Sequence, residues 1–361
     1  MSRRSTTPHS PLILVINPGS TSDKLALFEG DKEIASETIR YTNGRLEAFA
    51  SLFDQLDFRS AAVDDFLARR KITFLDAVVG RGGLLKPVRR GVYRVNAGML
   101  EDARRGIQGV HPANLGCALA ARVAEKFGCP ALVVDPVSVD EFESVARLSG
   151  HPLIERRSLS HALNLRAAAI WAAEQQGREI EQVNYVIAHL GGGISVAAIR
   201  KGRIIDVNDA SNAGPFSPER SGSLPMTPFA ELCFSGKYTL DQIKKMIMGE
   251  GGLKAYLGTS DVTEVEKRIA AGDDYAALVY DAMIYQIAKE IGAMATVLLG
   301  DLQGIVLTGG LAQSKQLTDR LSSRVSFLAP VLILPGEREA EAMALGALRA
   351  LSGREPIQEY E

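Results

Sequence analysis

Residues 12 to 16, Leu-Ile-Leu-Val-Ile, form an uninterrupted apolar run of strand length, bounded by the polar stretch Asn17-Pro18-Gly19-Ser20-Thr21-Ser22. Alternation resumes from Lys24 to Phe28, and the turn residues Glu29-Gly30-Asp31-Lys32 lead into Ile34 to Ile39. The pattern predicts a three-stranded antiparallel meander with a polar glycine loop between its first two strands. The same plan recurs downstream. Tyr185 to Ala188 leads to His189-Leu190-Gly191-Gly192-Gly193, then to Ile194 to Ile199, the turn Arg200 to Arg203, and Ile204 to Val207. Two stretches built to one plan predict an internal duplication.

Between and after these stretches helix and strand patterns alternate, as in a mixed sheet with helices on its faces. Pro112 stands where a first helical turn would begin, Leu115, Leu119 and Val123 recur at helical spacing, and Gly128 ends the run before the strand Ala131 to Val134. In the second half a helix from about Asp274 to Leu299 precedes the strand Gly304 to Leu307, the segment Thr308-Gly309-Gly310 and a helix near Lys315 to Arg324. Val331 to Leu334 reads as the final strand. A last helix, about Arg338 to Leu351, places Ala340, Ala344, Ala347, Leu348 and Leu351 on one face. Small residues there predict close packing.

Composition narrows the function classes. The chain has 361 residues, long enough for two domains, and its 46% hydrophobic and 23% charged content excludes disorder as the main state. A net charge of −2 gives no overall field for nucleic acid or an anionic membrane, so an anion must be held by a local site. Cys117, Cys129 and Cys233 form no C-x-x-C pair and have no nearby histidines, which fits a reducing cytoplasm rather than a disulfide frame or zinc site. The basic first eleven residues read as a disordered leader, since the apolar run after them is too short for a secretory core. Tyr275 to Leu299 carries Asp281, Lys289 and Glu290 and is therefore a buried helix, not a membrane span.

A glycine loop joining two antiparallel strands differs from the Walker and dinucleotide fingerprints, both of which run into a helix N-terminus. Either loop alone reads equally as a tight hairpin. As a pair, joined by Gly309 and Gly310, they suggest phosphate cradles built from backbone N–H groups.

The segment Leu12-Ile-Leu-Val-Ile-Asn-Pro-Gly-Ser-Thr-Ser22, followed by Lys24, resembles the opening of the acetate and butyrate kinases, and its Asn-Pro-Gly-Ser-Thr form resembles the butyrate kinase branch. Val110-His111-Pro112-Ala113-Asn114, Val134-Asp135, Ser160-His161, His189 to Gly193, Pro218-Glu219-Arg220-Ser221-Gly222 and Leu307 to Gly310 continue the family's order. The resemblance implies an α/β chain of two duplicated ribonuclease H-like domains, the actin-like ATPase fold, with an interdomain cleft. It implies domains over residues 1–160, on the carboxylate and phosphate side, and 161–338, on the nucleotide side, with 339–361 a helix returning to the first. The implied activity is reversible phosphoryl transfer from ATP to a short-chain carboxylate, with Mg²⁺, in a cytoplasmic homodimer or larger assembly. Acetate, propionate or a branched acid are alternative substrates. A nucleotide-gated scaffold is the alternative class.

By the same resemblance Arg220 grips the carboxylate and the transferring phosphoryl as a bidentate fork, and His111 is a neutral donor beside them. Asp135, at a strand's carboxyl end, positions the metal. Glu339 orients Mg²⁺ before the last helix, with Glu337 and Glu341 as alternative registers. Asn17 and Ser20 contact the terminal phosphate, His189, Gly191, Gly192 and Gly193 approach the phosphates, and Gly309 and Gly310 line the adenosine site; His189 is equally readable as a strand-end residue that orients its loop. Two departures stand out. The chain reads Val78-Val79-Gly80-Arg81-Gly82-Gly83 where acetate kinases carry a His before the glycine pair and an Arg upstream, so Arg81 is expected to replace that Arg. Arg157 stands where they have a further His. Both favour the butyrate-type branch.

Overall fold

The computed structural model describes residues 10–41, 44–46 and 48–361. The leader expected over the first eleven residues thus falls almost wholly on 1–9, outside the described residues. The strands are β1 (Leu12–Pro18), β2 (Ser22–Glu29), β3 (Lys32–Arg40), β4 (Ala77–Arg81), β5 (Val92–Arg94) and β6 (Ala131–Val134). They continue as β7 (Asn184–Leu190), β8 (Ile194–Arg200), β9 (Arg203–Val207), β10 (Gly304–Gly309), β11 (Val331–Pro335) and β12 (Ile357–Gln358).

The chain divides into two compact units, one of residues up to Val139 with Arg338–Glu361, the other of Asp140–Glu337. The division falls after Val139, whereas the sequence reading places it after Ser160. The intervening segment is tied to the second unit's sheet. Glu143 N–H donates to Ile205 O (3.1 Å) and Ile204 N–H to Glu141 Oε2 (3.3 Å). Arg156 holds both carboxylate oxygens of Asp206.

The first unit's sheet runs β12-β5-β6-β4-β1-β2-β3 and the second unit's β11-β10-β7-β8-β9. Each contains the meander expected from the alternation, β1-β2-β3 and β7-β8-β9, paired antiparallel. Each then adds two strands in parallel, β4 and β6 beside β1, β10 and β11 beside β7. The duplication is therefore visible as one strand order used twice. β4 carries its whole length buried, as a central parallel strand must.

Helices cover these sheets where the apolar spacing requires. Asn114–Phe127 buries Leu115, Leu119 and Val123 and ends at Gly128, which adopts φ 66° and donates to Ala124 O and Glu125 O. It lies so close to β4 that a Cβ on Gly80 would stand 2.0 Å from Gly116 O, and one on Gly116 2.2 Å from Arg81 O. Asp274–Val297 starts at Asp273, whose side chain accepts from Ala276 N–H (2.9 Å), and buries Ile284, Ile287 and Ile291. Among the described residues no helix is long and apolar enough to cross a membrane.

The last helix, Glu339–Leu351, packs on β1, β4 and β6 of the first unit. Its buried stripe is Ala342, Met343, Gly346, Ala347 and Ala350, with Ala344. Ala340, Leu348 and Leu351, placed on the inner face by the spacing, are only half-buried. The close packing read from small residues is present, and its tightest point is Gly346, where a Cβ would reach 2.4 Å from Val134 Cγ1.

Two glycines separate packing from helix propensity. Gly80→Ala forces two backbones apart and is expected to cost about 1–3 kcal/mol or more. Gly292, in the middle of Asp274–Val297, has nothing within 4 Å of a built Cβ. Gly292→Ala should stabilise by about 0.5–1 kcal/mol, because alanine restricts the unfolded chain. Denaturant melts of both variants check the opposite signs.

Candidate active site

In the first unit three parallel strands deliver polar residues to one edge. Ile16 of β1 pairs with Gly80 of β4, so Asn17 stands level with Arg81. Arg81 pairs in turn with Val134 of β6, so Asp135 follows at the same edge. Carboxyl ends of parallel strands are where α/β sheets place ligands. The last helix adds Glu339 there: its Oε2 accepts from Asn17 Nδ2 (2.6 Å) and its Oε1 lies 3.3 Å from Arg81 Nη2.

Arg81 is 5% exposed, and among the described residues its buried Nη1 has no hydrogen-bond partner. A buried guanidinium donor left unpaired costs free energy until an acceptor arrives, which suits an incoming anion. Asp135 is buried and sits at φ 39°, a backbone strain at the end of β6 that functional sites often store. Its Oδ1 accepts from Gly91 N–H (2.7 Å), and its own N–H donates to Gly91 O (3.0 Å). Ser20, in the hairpin turn closed by Gly19 N–H to Ser22 O (2.7 Å), is exposed. His111 is also exposed and accepts from Ala113 N–H at Nδ1 (3.2 Å), which leaves the neutral ring's proton on Nε2.

In the second unit the Gly191–Gly193 turn and the Pro218–Gly222 loop meet around Arg220. The guanidinium lies against the Gly191–Gly193 turn: a Cβ on Gly193 would meet Arg220 Nη1 at 2.2 Å, and one on Gly192 would meet Glu219 Oε1 at 2.6 Å. The triple glycine thus makes room for the Pro-Glu-Arg-Ser loop. Ser217 Oγ donates to Gly192 O (2.5 Å) and accepts from Arg220 N–H (3.1 Å), stitching the two together. From the other side Ser221 N–H donates to Ile247 O (3.0 Å), and Gly249 N–H to Glu219 O (2.8 Å). Gly222, at φ 62°, closes the turn where a Cβ would hit Phe216 N at 2.5 Å.

Arg220 Nη1 donates to the Ala210 carbonyl (3.1 Å). Burial lowers its pKa, and the carboxylates of Glu219 and Asp209 act in the opposite direction. A guanidinium stays charged even so, and one stripped of water on a neutral partner favours an anion.

His189, next to last in β7, is 3% exposed and lies under the glycine turn with its ring 4.3 Å from that of His161. His161 Nδ1 is 2.9 Å from Ser195 Oγ. Gly309 needs its glycine for packing, since it has φ 93° and a Cβ would come within 2.4 Å of Leu190 O. Gly310 faces open space.

Sequence reasoning passed over the polar residues that hold these loops. Asn114 is 1% exposed, accepts from Leu84 N–H (2.8 Å) and donates to Gly109 O (3.0 Å), so it knots three segments beside β4. Asn208 accepts from Val196 N–H (2.6 Å) and donates to Ile194 O (2.8 Å) at the root of the glycine turn. No local signal marks either one, because Asn114 meets Leu84 and Asn208 meets Ile194 and Val196 only through the fold.

Comparison with known proteins adds the family. The acetokinase family model matches residues 156–329. Probable butyrate kinase 2 of Caldanaerobacter subterraneus is 52% identical over 350 residues, which is 96% of this chain and 99% of that protein. Butyrate kinase 2 of Clostridium acetobutylicum is 49% identical over 352 residues, 97% and 99% of the two chains. The crystal structure of Porphyromonas gingivalis acetate kinase superposes with a TM-score of 0.77 at 19% identity, covering 95% of this chain and 100% of that one, and shows the shared actin-like ATPase fold. With half of its residues identical to such relatives over nearly its whole length, on the twice-used sheet of that fold, this chain belongs to the acetokinase family.

Proposed function

We propose that this chain transfers the terminal phosphoryl group of ATP to butyrate, giving butyryl phosphate and ADP, reversibly and in the cytoplasm. The observation that carries the reading is the near-complete match to relatives named butyrate kinases at about half identity. In the reaction a carboxylate oxygen forms a bond to the γ-phosphorus as the bond from that phosphorus to the ADP oxygen breaks. No proton moves, because the carboxylate is already an anionic nucleophile. The barrier is therefore mainly charge repulsion, and positioned cations and donors lower it.

Arg220 is assigned the transferring phosphoryl and the carboxylate, a role that its desolvated fork suits. Arg81 offers its unpartnered Nη1 to the same class of oxygen, and His111 its Nε2 proton. Asn17 and Ser20 take the terminal phosphate, while Gly191, Gly192 and Gly193 allow close backbone approach. His189, buried beneath that turn, orients it. Gly310, facing open space, and Gly309 are assigned to the adenosine side.

Among the described residues no group of three His, Cys, Asp or Glu side chains could hold a metal by itself. Mg²⁺ on a nucleotide keeps several waters and needs only one or two carboxylates, so Asp135 and Glu339 fit it as a hydrated ion. When bound, Mg²⁺ would neutralise charge on the phosphates. Exposed Met226 and Phe234, on the helix Met226–Phe234, suit burial against a second copy in a homo-oligomer.

Arg220→Ala should lower turnover by roughly 10³ to 10⁵, about 4–7 kcal/mol, with folding retained. Gly193→Ala should displace the guanidinium by its Cβ alone and lower kcat about tenfold or more at an unchanged melting temperature. Near-normal turnover of folded Arg220→Ala would remove this residue from the site.

Asp135→Asn keeps the oxygen that accepts from Gly91 and removes the charge. It should raise the Mg²⁺ requirement more than the carboxylate KM. A shifted carboxylate KM with unchanged Mg²⁺ dependence would move Asp135 to the acid site.

With ATP and butyrate, hydroxylamine should trap an acyl hydroxamate, and ATP consumption should depend on the acid, neither of which a scaffold would show. Over acids of two to five carbons, acetate should be poor yet used, because a pocket discriminates by about 1–3 kcal/mol per methylene. Acetate equal to butyrate in kcat/KM would withdraw butyrate and leave carboxylate phosphorylation standing.

A further inference from the structure

Beneath the Asn17–Ser22 turn lies a charged pair that the assigned roles do not use. Asp23, on β2, is 0% exposed and Arg59, on the helix Leu56–Arg69, is 1% exposed. Arg59 Nη1 donates to Asp23 Oδ1, and Tyr41 OH donates to Asp23 Oδ2 (2.5 Å). Gln55 Oε1 accepts from Arg59 Nε (3.0 Å) and Nη2 (2.9 Å). The remaining Arg59 bond leaves the cluster: Nη2 donates to the carbonyl of Gly19 (3.1 Å), inside the turn. Tyr41 reinforces the same turn, with its N–H donating to Thr21 O (3.0 Å).

Stability alone does not account for this pair. Burial raises the Asp23 pKa, with Arg59, Tyr41 and the Gly19 amide opposing it, so desolvation is its largest electrostatic effect. Well-packed apolar residues in place of a buried ion pair are often neutral or stabilising. The pair does have a geometric consequence. The guanidinium bridges Asp23, Gln55 and Gly19 O at once, and so ties the Gly19 peptide, between Asn17 and Ser20, to the helix Leu56–Arg69. A lysine ammonium has three donors, but they diverge tetrahedrally from a single nitrogen and cannot reproduce the spread of this fork.

We infer that Asp23 and Arg59 are positioning residues that hold the Asn17–Ser22 turn in register to receive the terminal phosphate of the nucleotide. The inference rests on the reading that this turn meets that phosphate. It assigns the ion pair to discrimination between a nucleoside triphosphate and a diphosphate, since only the triphosphate has a group there to lose.

The test is direct binding of ATP and ADP to the full chain by calorimetry, with thermal melting alongside. Asp23→Leu with Arg59→Met removes both charges together and leaves no unpaired ion. Arg59→Lys keeps the charge and loses the fork. Both are expected to melt near the wild type, to lose about tenfold or more of ATP affinity, and to keep ADP affinity within about twofold. In turnover, kcat should fall in parallel while the butyrate KM stays unchanged. Equal loss of ATP and ADP affinity, or no loss of either, in a folded variant would overturn the inference. Should the double variant fail to fold, Arg59→Lys decides by the same ratio. The binding ratio needs no catalysis, so a wild type that binds ATP but ignores carboxylates would refute the proposed reaction and still leave this inference to be judged.

Discussion

The in-register parallel pairing of β1 with β4, and of β4 with β6, is the constraint on which the first unit's chemistry depends. Those backbone hydrogen bonds place Asn17 level with Arg81 and let Asp135 follow beside them. A slip of one residue would turn each side chain to the other face of the sheet. The register is guarded by packing, because the helix Asn114–Phe127 approaches β4 at Gly80 and Gly116 with no room for a methyl group. Gly346 performs the same service for the last helix against Val134, and so brings Glu339 within reach of Asn17 and Arg81.

The second unit solves a different problem with the same sheet. Its partly buried arginine, Arg220, lies on a loop, and loops fix a side chain only when their backbone bonds are satisfied. Here Ser217, Gly249 and the Gly191–Gly193 turn supply those bonds, while the missing glycine side chains leave the volume that the guanidinium fills. Phosphorylating a carboxylate brings one anion to another. A preorganised, partly dehydrated cation is worth more there than a mobile one in water, because its cost of desolvation has been met during folding.

Buried polar residues in both units share a common task. Asn114 ties the end of β4 to the segments before its covering helix, Asn208 anchors the glycine turn of the second unit, and Arg59 reaches from beneath to the turn of the first. None lies on the open edge. Each converts a glycine-rich turn, which would otherwise sample many conformations, into a fixed surface.

The alternating and continuous apolar runs were enough to read both meanders, the strands at Ala131, Gly304 and Val331, and the duplication, because strand periodicity and turn chemistry are local. Motif spelling made the Gly191–Gly193 turn, the Arg220 loop and the family legible together. Local sequence could not say that the segment Asp140–Ser160 belongs to the second unit, because hydrogen bonds to Ile204, Ile205 and Asp206, distant in the chain, settle that. It could not show which stripe of the last helix is buried, since that is set by the strands it packs on, β1, β4 and β6, which are distant in the chain. Asp23 and Arg59 were hidden for the same reason. Each is a charged residue at an inward position of an amphipathic element, which reads as a break in the pattern until the fold brings the two together under Gly19. Composition and periodicity marked out the strands and helices, and long-range strand pairing together with helix and loop packing decided which polar side chains meet.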